Sequence, residues 1–329
     1  MAADRPVQKT GTRWGVFALR AALTVGIFVV LFSKLDAGNL VTAMKRTGMS
    51  LWLFMVVIHI LAHVVVVVKW RLLLRAAGSE PRMTDALRAH GAGVFANLYL
   101  PSIVGGDVIR AGMISPRGRN LGATIMGGVA DRVTDCAALI ILAAVGLLVV
   151  PVTQTGLDLR ILLASSAGLL GIVLGGVIVI RLVNPDVFPG PVAKVLHKVR
   201  KSLEPMFRRK TTTLIALMMA LGIQSFFILQ NMVIGQAIGI QVPVGAWFVA
   251  WPLAKLAALV PFSLGGLGVR EAMLAALFSP FSVPATLAVA ASLVWQTVMY
   301  ALGLFGGVSS LCMGYFHTRS HHEAAPSDA

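Results

Sequence analysis

Charge is what this chain has least of. Of its 329 residues, 12% are Asp, Glu, Lys or Arg, about half the share of an ordinary soluble domain. Only 13 residues are acidic, against 28 Lys and Arg. A soluble fold built from this composition would have to bury several helices that are apolar all round in a single core, which chains of this size rarely do. Cysteine is almost absent too. The two present, Cys136 and Cys312, exclude a disulfide framework and fall inside apolar runs, where small core positions are expected. No G-x-x-x-x-G-K-[ST] stretch occurs, which argues against direct ATP use, and no H-E-x-x-H or C-x-x-C occurs to seed a metal site. Neither a metal nor a cofactor is expected.

What the chain has in excess is apolar length, with 57% hydrophobic residues. Runs of 18 or more apolar residues recur, each long enough to cross a bilayer as a helix. Six segments read as full spans: 14–33, 51–69, 121–150, 160–182, 211–236 and 284–313. The N-terminal run from Val16 to Phe32 is too long for a signal-peptide core and lacks a small-residue cleavage site, so it reads as an uncleaved first span. Two further segments, 84–114 and 244–279, are apolar but interrupted by Pro and Gly-Gly. Helix–break–helix hairpins that enter the membrane and return fit them best, because irregular backbone is tolerated at that depth only beside protein or a polar cavity.

The formal net charge of +15 lies in short loops beside spans, so it sets orientation and meets anionic lipid rather than nucleic acid. One basic loop carries Lys69, Arg71, Arg75, Arg82, Arg88, Arg117 and Arg119. The other, 183–210, carries Arg181 at its edge and Lys194, Lys198, Arg200, Lys201, Arg208, Arg209 and Lys210. The positive-inside rule places both loops and both termini in the cytoplasm of a plasma (inner) membrane protein, with loop 34–50 dissenting through Lys34, Lys45 and Arg46. Within 183–210, Val192 to Leu203 has the spacing of a cationic amphipathic helix, which would lie on the leaflet or serve as a solvated connector. Residues 315–329 read as a flexible tail.

Within the two broken segments the sequence repeats itself. LPSIVGGDVIRAG at 100–112 and VPFSLGGLGVREA at 260–272 share P-x-x-x-G-G-x-x-x-R at an offset of 160 residues. Pro101 answers to Pro261, Gly105 and Gly106 to Gly265 and Gly266, and Arg110 to Arg270; Gly268 adds a third glycine to the second copy. With three crossings per half, repeat one (14–150) and repeat two (160–314) would be inverted relative to each other, which is a transporter architecture.

Charged groups inside such segments mark pathways or partners. Arg110, one turn past Gly105-Gly106, and Arg270 are candidate cations for an anionic group at a half-helix N-terminus. Asp107 beside Arg110 and Glu271 beside Arg270 offer local ion pairs as the plainer reading. Asp131-Arg132-Val-Thr-Asp135 lies near mid-membrane in its span. It reads either as a structural ion-pair network, with Arg132 reaching Asp135, or as a polar wall with a third cation and acids for proton coupling. Asn97 and Ser263, which flank the two breaks, are further substrate-binding candidates. His59 and His63 share a helix face but have no third ligand, so a packed pair is expected. Lys255, Gln224, Gln230, Asn231 and Gln296 are further polar positions, with interhelical hydrogen bonds expected for the amides.

Asn97-x3-Pro101-x3-Gly105-Gly106-Asp107-x2-Arg110, then Asp131-Arg132-x2-Asp135, then Pro261-Phe-Ser-Leu-Gly265-Gly266-Leu-Gly268-Val-Arg270-Glu271 resemble the lysylphosphatidylglycerol synthase transmembrane-region family of flippase-like membrane proteins. The resemblance spans roughly 14–314 and implies lipid handling: movement of aminoacylated phosphatidylglycerol in the multiple peptide resistance factors, and hopanoid transport or dolichol-linked glycosylation in other relatives. No aminoacyl-transferring domain follows residue 314, so the chain is not expected to charge lipids itself. Asp131 stands where the family pattern has glutamate.

The sequence therefore predicts an all-α polytopic membrane protein of one domain, with six spans and two re-entrant hairpins in an inverted repeat. It predicts a non-enzymatic lipid flippase whose partners are anionic membrane lipids and a lipid-modifying enzyme. The alternative is a membrane-embedded enzyme or accessory subunit acting on lipid-linked intermediates.

Overall fold

A computed structural model describes residues 37–99, 105–115, 118, 120–150, 208–259 and 266–323, with isolated positions between 167 and 204. The expected spans 14–33 and 160–182 lie outside the described residues, apart from isolated positions of the second. Among the described residues every extended element is helical. In chain order these are α1 (Ala37–Lys45), α2 (Met49–Ala76), α3 (Met83–Tyr99), α4 (Gly105–Ile114), α5 (Leu121–Val149), α6 (Lys210–Ile238), α7 (Val244–Leu259), α8 (Val269–Phe278) and α9 (Ala285–Glu323). Four are long and apolar enough to cross a bilayer: α2, α5, α6 and the Ala285–Gly314 portion of α9. The chain is a multi-pass membrane protein.

Helix α2 illustrates why. Its run Val64–Val68 is β-branched and would weakly disfavour helix in water, but in hydrocarbon the backbone has no partner other than itself. Both faces are apolar, so no amphipathic pattern appears; tertiary contact alone decides what is covered. Leu53, Phe54, Val57, Leu61, Val64 and Val68 form an exposed stripe, while Met55, His59, Val67, Trp70 and Leu74 are buried on the opposite face. The exposed stripe is the surface lipid would cover.

The two interrupted segments are indeed paired helices around a break, α3 with α4 and α7 with α8. The first helix of each hairpin packs most extensively on the long span at the end of the other half: α3 on α9, and α7 on α5. Small residues permit the closeness. A Cβ added to Gly91 of α3 would run into the carbonyl of Gly306 of α9, so the two backbones touch there. At the centre, α2 packs on α6, and an aromatic cluster joins α6, α7 and α9, with Trp251 and Trp295 edge to face at 5.4 Å. Helices far apart in the chain are thus interlocked.

The structure refines the expectations at five points. Helix α2 continues to Ala76, so Lys69, Arg71 and Arg75 belong to it and not to a loop; Lys69 is wholly buried. The second break is longer than the first: Gly266 and Gly268 take positive φ values of 75° and 85° and α8 starts only at Val269, which puts Arg270 at its second residue. Cys312 is exposed on α9 rather than buried, while Cys136 is half-buried. Arg46 donates to the carbonyl of Ile238 at 3.2 Å, at the C-terminus of α6. A cation there is favoured by the helix dipole, so one of the dissenting charges has a local cause. In the connector, Leu203 is buried with Leu73, Ala130 and Ala216, so its apolar face meets protein at that point.

Candidate functional site

The polar residues of the first hairpin, α2 and α5 converge in one cluster. Arg110 comes from α4, which can lie close against α3 only because both contacts are small. A Cβ on Gly106 would strike the Gly93 carbonyl and the Asn97 side chain, and one on Gly93 would strike the Arg110 side chain itself. The Asn97 carboxamide oxygen accepts a hydrogen bond from the Gly106 N–H at 3.0 Å, satisfying one of the free donors at the start of α4. Asn97 therefore caps the half-helix from the neighbouring helix.

Arg110 is buried and its guanidinium carbon sits 4.0 Å above the Trp70 ring, a cation–π contact. Its Nη1 is 3.4 Å from Asp107 and its Nη2 is 3.8 Å from Asp131. Among the described residues neither Nε nor Nη2 finds a hydrogen-bond partner. For a buried guanidinium with five donors, that leaves binding capacity unused. Arg132 donates from Nη2 to both carboxylate oxygens of Asp107 at 3.1 Å, not to Asp135, and both side chains of this pair are about half exposed (51% and 47%). Asp135 instead bonds Lys69, whose ammonium also lies 3.0 Å from Asp131.

Three cations and three carboxylates thus interlock across α2, α4 and α5. Buried charges persist only when paired, and the inner half of the network, Lys69 with Asp131 and Asp135, meets that requirement. The outer half, Arg132 with Asp107, is an exposed pair of small net worth. Asp107 could give up Arg132 to another anion at little cost, and that anion would then find the spare donors of Arg110 nearby. On α7, Lys255 bonds Gln224 at 2.9 Å and lies within electrostatic range of Asp135.

The second copy of the motif is arranged differently. Arg270 donates to Ser292 at 2.7 Å, to Glu271 at 2.8 Å and to Gln296 at 3.0 Å. Glu271 is fully buried, accepts from Ser292 at 2.7 Å and takes the Gly268 N–H at 2.6 Å, the backward half of a capping box. These contacts fasten α8 to α9 through Nε and Nη2 of Arg270. Pro101, Pro261, Ser263 and Gly265 lie outside the described residues.

His59 and His63 pack as a pair with ring centroids 4.9 Å apart. His59 contacts Gln230 at 2.9 Å and the Met299 sulfur at 3.2 Å, and His63 meets His90 at 2.9 Å. Asn231 bonds back to the Phe227 carbonyl of its own helix at 2.9 Å rather than across helices. Sequence reasoning missed three members of this region: Lys69, Trp70 and His90. The signal for Lys69 was available, since it interrupts an otherwise unbroken apolar run, VVVVVKWRLLL.

Against known families, the model for the lysylphosphatidylglycerol synthase TM region matches residues 17–307. No curated protein matches the chain.

Proposed function

The chain belongs to the lysylphosphatidylglycerol synthase TM-region family, and on that premise we propose that it is a lipid flippase rather than an enzyme, passing an anionic lipid headgroup across the plasma membrane. The observation that carries this reading is the exchangeable Arg132–Asp107 pair beside a buried Arg110 with unused donors. A phosphate moved into hydrocarbon without compensation is prohibitive, so a crossing path requires cations placed in advance. Arg132 meets the headgroup first, displacing Asp107, and Arg110 receives it while the acyl chains stay in lipid. Asp131 and Asp135 hold Lys69, and Arg110 supplies the second positive charge that balances the two carboxylates; together with Asp107 they are the acids available for proton coupling. Glu271 and Arg270 keep the second hairpin in place, and Ser263 flanks its break. The interlocked packing of the halves supports an inverted repeat, in which both termini and both basic loops face the cytoplasm.

The test is lipid crossing in proteoliposomes holding labelled phosphatidylglycerol, aminoacyl-phosphatidylglycerol, a polyprenyl phosphate or a zwitterionic control. Selective crossing of an anionic lipid is expected, reduced about ten-fold or more in Arg110→Ala and in Arg132→Ala, the loss expected for a hydrogen bond to a charged group. Crossing at the wild-type rate in both variants would overturn the mechanism. Product formation from lipid-linked substrates by the purified protein would instead favour the enzyme reading.

A further inference from the structure

At the other end of α2 from the ion-pair cluster, the chain turns sharply from α1 into α2 at Gly48, whose φ is 68°. The elbow forms an open cavity of about 440 Å³ against α9, with a wall formed chiefly by Met44, Thr47, Met49, Trp52 and Val294 and with Lys45 at its mouth. The volume falls within the usual range of ligand sites, about 300–1,000 Å³.

We infer that this elbow binds an anionic phospholipid, one acyl chain in the cavity and the headgroup on Lys45. Five observations converge. The wall is almost entirely apolar, and such a cavity at a lipid-facing elbow offers water too few polar partners to hold it. Lys45 is exposed and has no ion-pair partner among the described residues, whereas its neighbour Arg46 is engaged at the end of α6. The Thr47 hydroxyl is buried and finds no hydrogen-bond partner among the described residues, leaving a donor beside the cavity. Trp52 donates its indole N–H to Thr297 at 2.8 Å, the amphipathic placement typical of residues at headgroup depth. Met49 at the rim is 70% exposed and Val41 of α1 is also exposed, so the elbow presents apolar surface around its mouth. A soluble anion would use Lys45 but not the cavity, and a neutral apolar molecule would use the cavity but not Lys45. A phospholipid uses both.

Trp52 and Lys69 are 17 residues apart on one helix, about 25 Å at 1.5 Å per residue. The elbow therefore serves the opposite half of the bilayer from the ion-pair cluster, and its occupancy does not depend on transport.

The experiment uses the full chain in proteoliposomes containing phosphatidylglycerol with a diazirine-bearing acyl chain or, in parallel, phosphatidylcholine with the same chain. After illumination, labelled peptides are located by mass spectrometry. Phosphatidylglycerol is expected to label the peptides carrying residues 44–52 and 294–297 about five-fold more than phosphatidylcholine, the ratio one lysine near an anionic headgroup supplies. Lys45→Glu removes that preference, Lys45→Arg retains it, and Val294→Phe, which fills the cavity, lowers labelling by both lipids. Lys45 is on the surface, so its variants fold whether or not Val294→Phe does. Equal labelling by the two lipids, a preference unchanged by Lys45→Glu, or label confined to other peptides would overturn the site. Each of these readouts is of binding, so a protein that moves no lipid still gives a decisive answer.

Discussion

Lys69 shows what a single residue does in this environment. Its ammonium has no exposure and is shared between Asp131 and Asp135. Removing it leaves two carboxylates facing each other in a low dielectric, the situation that makes breaking a buried pair cost about 3–5 kcal/mol. Lys69→Met should therefore lower the unfolding temperature of the detergent-purified protein sharply, and adding Asp135→Asn should recover part of the loss. If Lys69→Met alone melts like the parent, the network is not holding α2 to α5. Arg132 makes the opposite case. Its pair with Asp107 is half exposed, worth at most about 1 kcal/mol, so Arg132→Ala should leave the melting temperature nearly unchanged while affecting transport. Residues with the same charge, within one cluster, separate into structural and exchangeable by burial alone.

Helical elements carry the next distinction. Copies of the P-x-x-x-G-G-x-x-x-R stretch look equivalent in sequence, yet α4 begins at Gly105 and α8 only at Val269. Asp107 in the first copy is matched by Leu267 in the second, and the acid moves to Glu271, next to the arginine. Glu271 then reaches back to the Gly268 N–H and engages Arg270 together with Ser292 and Gln296. Arg270→Ala should consequently behave as a packing variant, with reduced yield and a lowered melting temperature from a buried Glu271 that has lost its cation. Arg110→Ala, whose guanidinium has donors to spare, should fold. Equal melting temperatures for the two variants would contradict this assignment. The contact between α3 and α9 is set by glycine backbones in the same way: Gly306→Val should separate the helices and lower stability, because the Gly91 carbonyl occupies the space a side chain needs.

For the whole molecule, the interlocked halves and the basic loops make a claim about orientation. With Cys136 and Cys312 replaced by alanine, a cysteine introduced at Arg82 should react with a membrane-impermeant maleimide only from the cytoplasmic side, and one at Gln241 only from outside. Labelling of both from one face would exclude the proposed topology, since α2 to α6 would then connect the wrong sides. The balance of charge supports the arrangement: Arg75, Arg82 and Arg88 gather at one end of the α2–α3 turn, where basic residues are retained on the cytoplasmic face.

The sequence by itself determined that the chain enters a membrane, that its apolar runs become helices, and where two of them break. Those follow from composition and from Pro and Gly chemistry, which act within a few residues and need no partner. It also supplied the family and most of the charged positions. It did not determine how each arginine is held. Arg110 and Arg270 occupy matching places in their motifs, and only the neighbours brought by other helices, Trp70 and Asp131 for one, Ser292 and Gln296 for the other, separate a guanidinium with unused donors from one tied to α9. Lys69 stands at the end of the apolar run, where hydropathy alone makes it a loop cation; its burial depends on α5 lying against α2. The elbow cavity was invisible for the same reason, being a gap between segments some 240 residues apart in the chain. In lipid nearly every surface is apolar, so hydrophobicity no longer distinguishes inside from outside, and tertiary contact alone decides which polar groups are paired and which are left to bind.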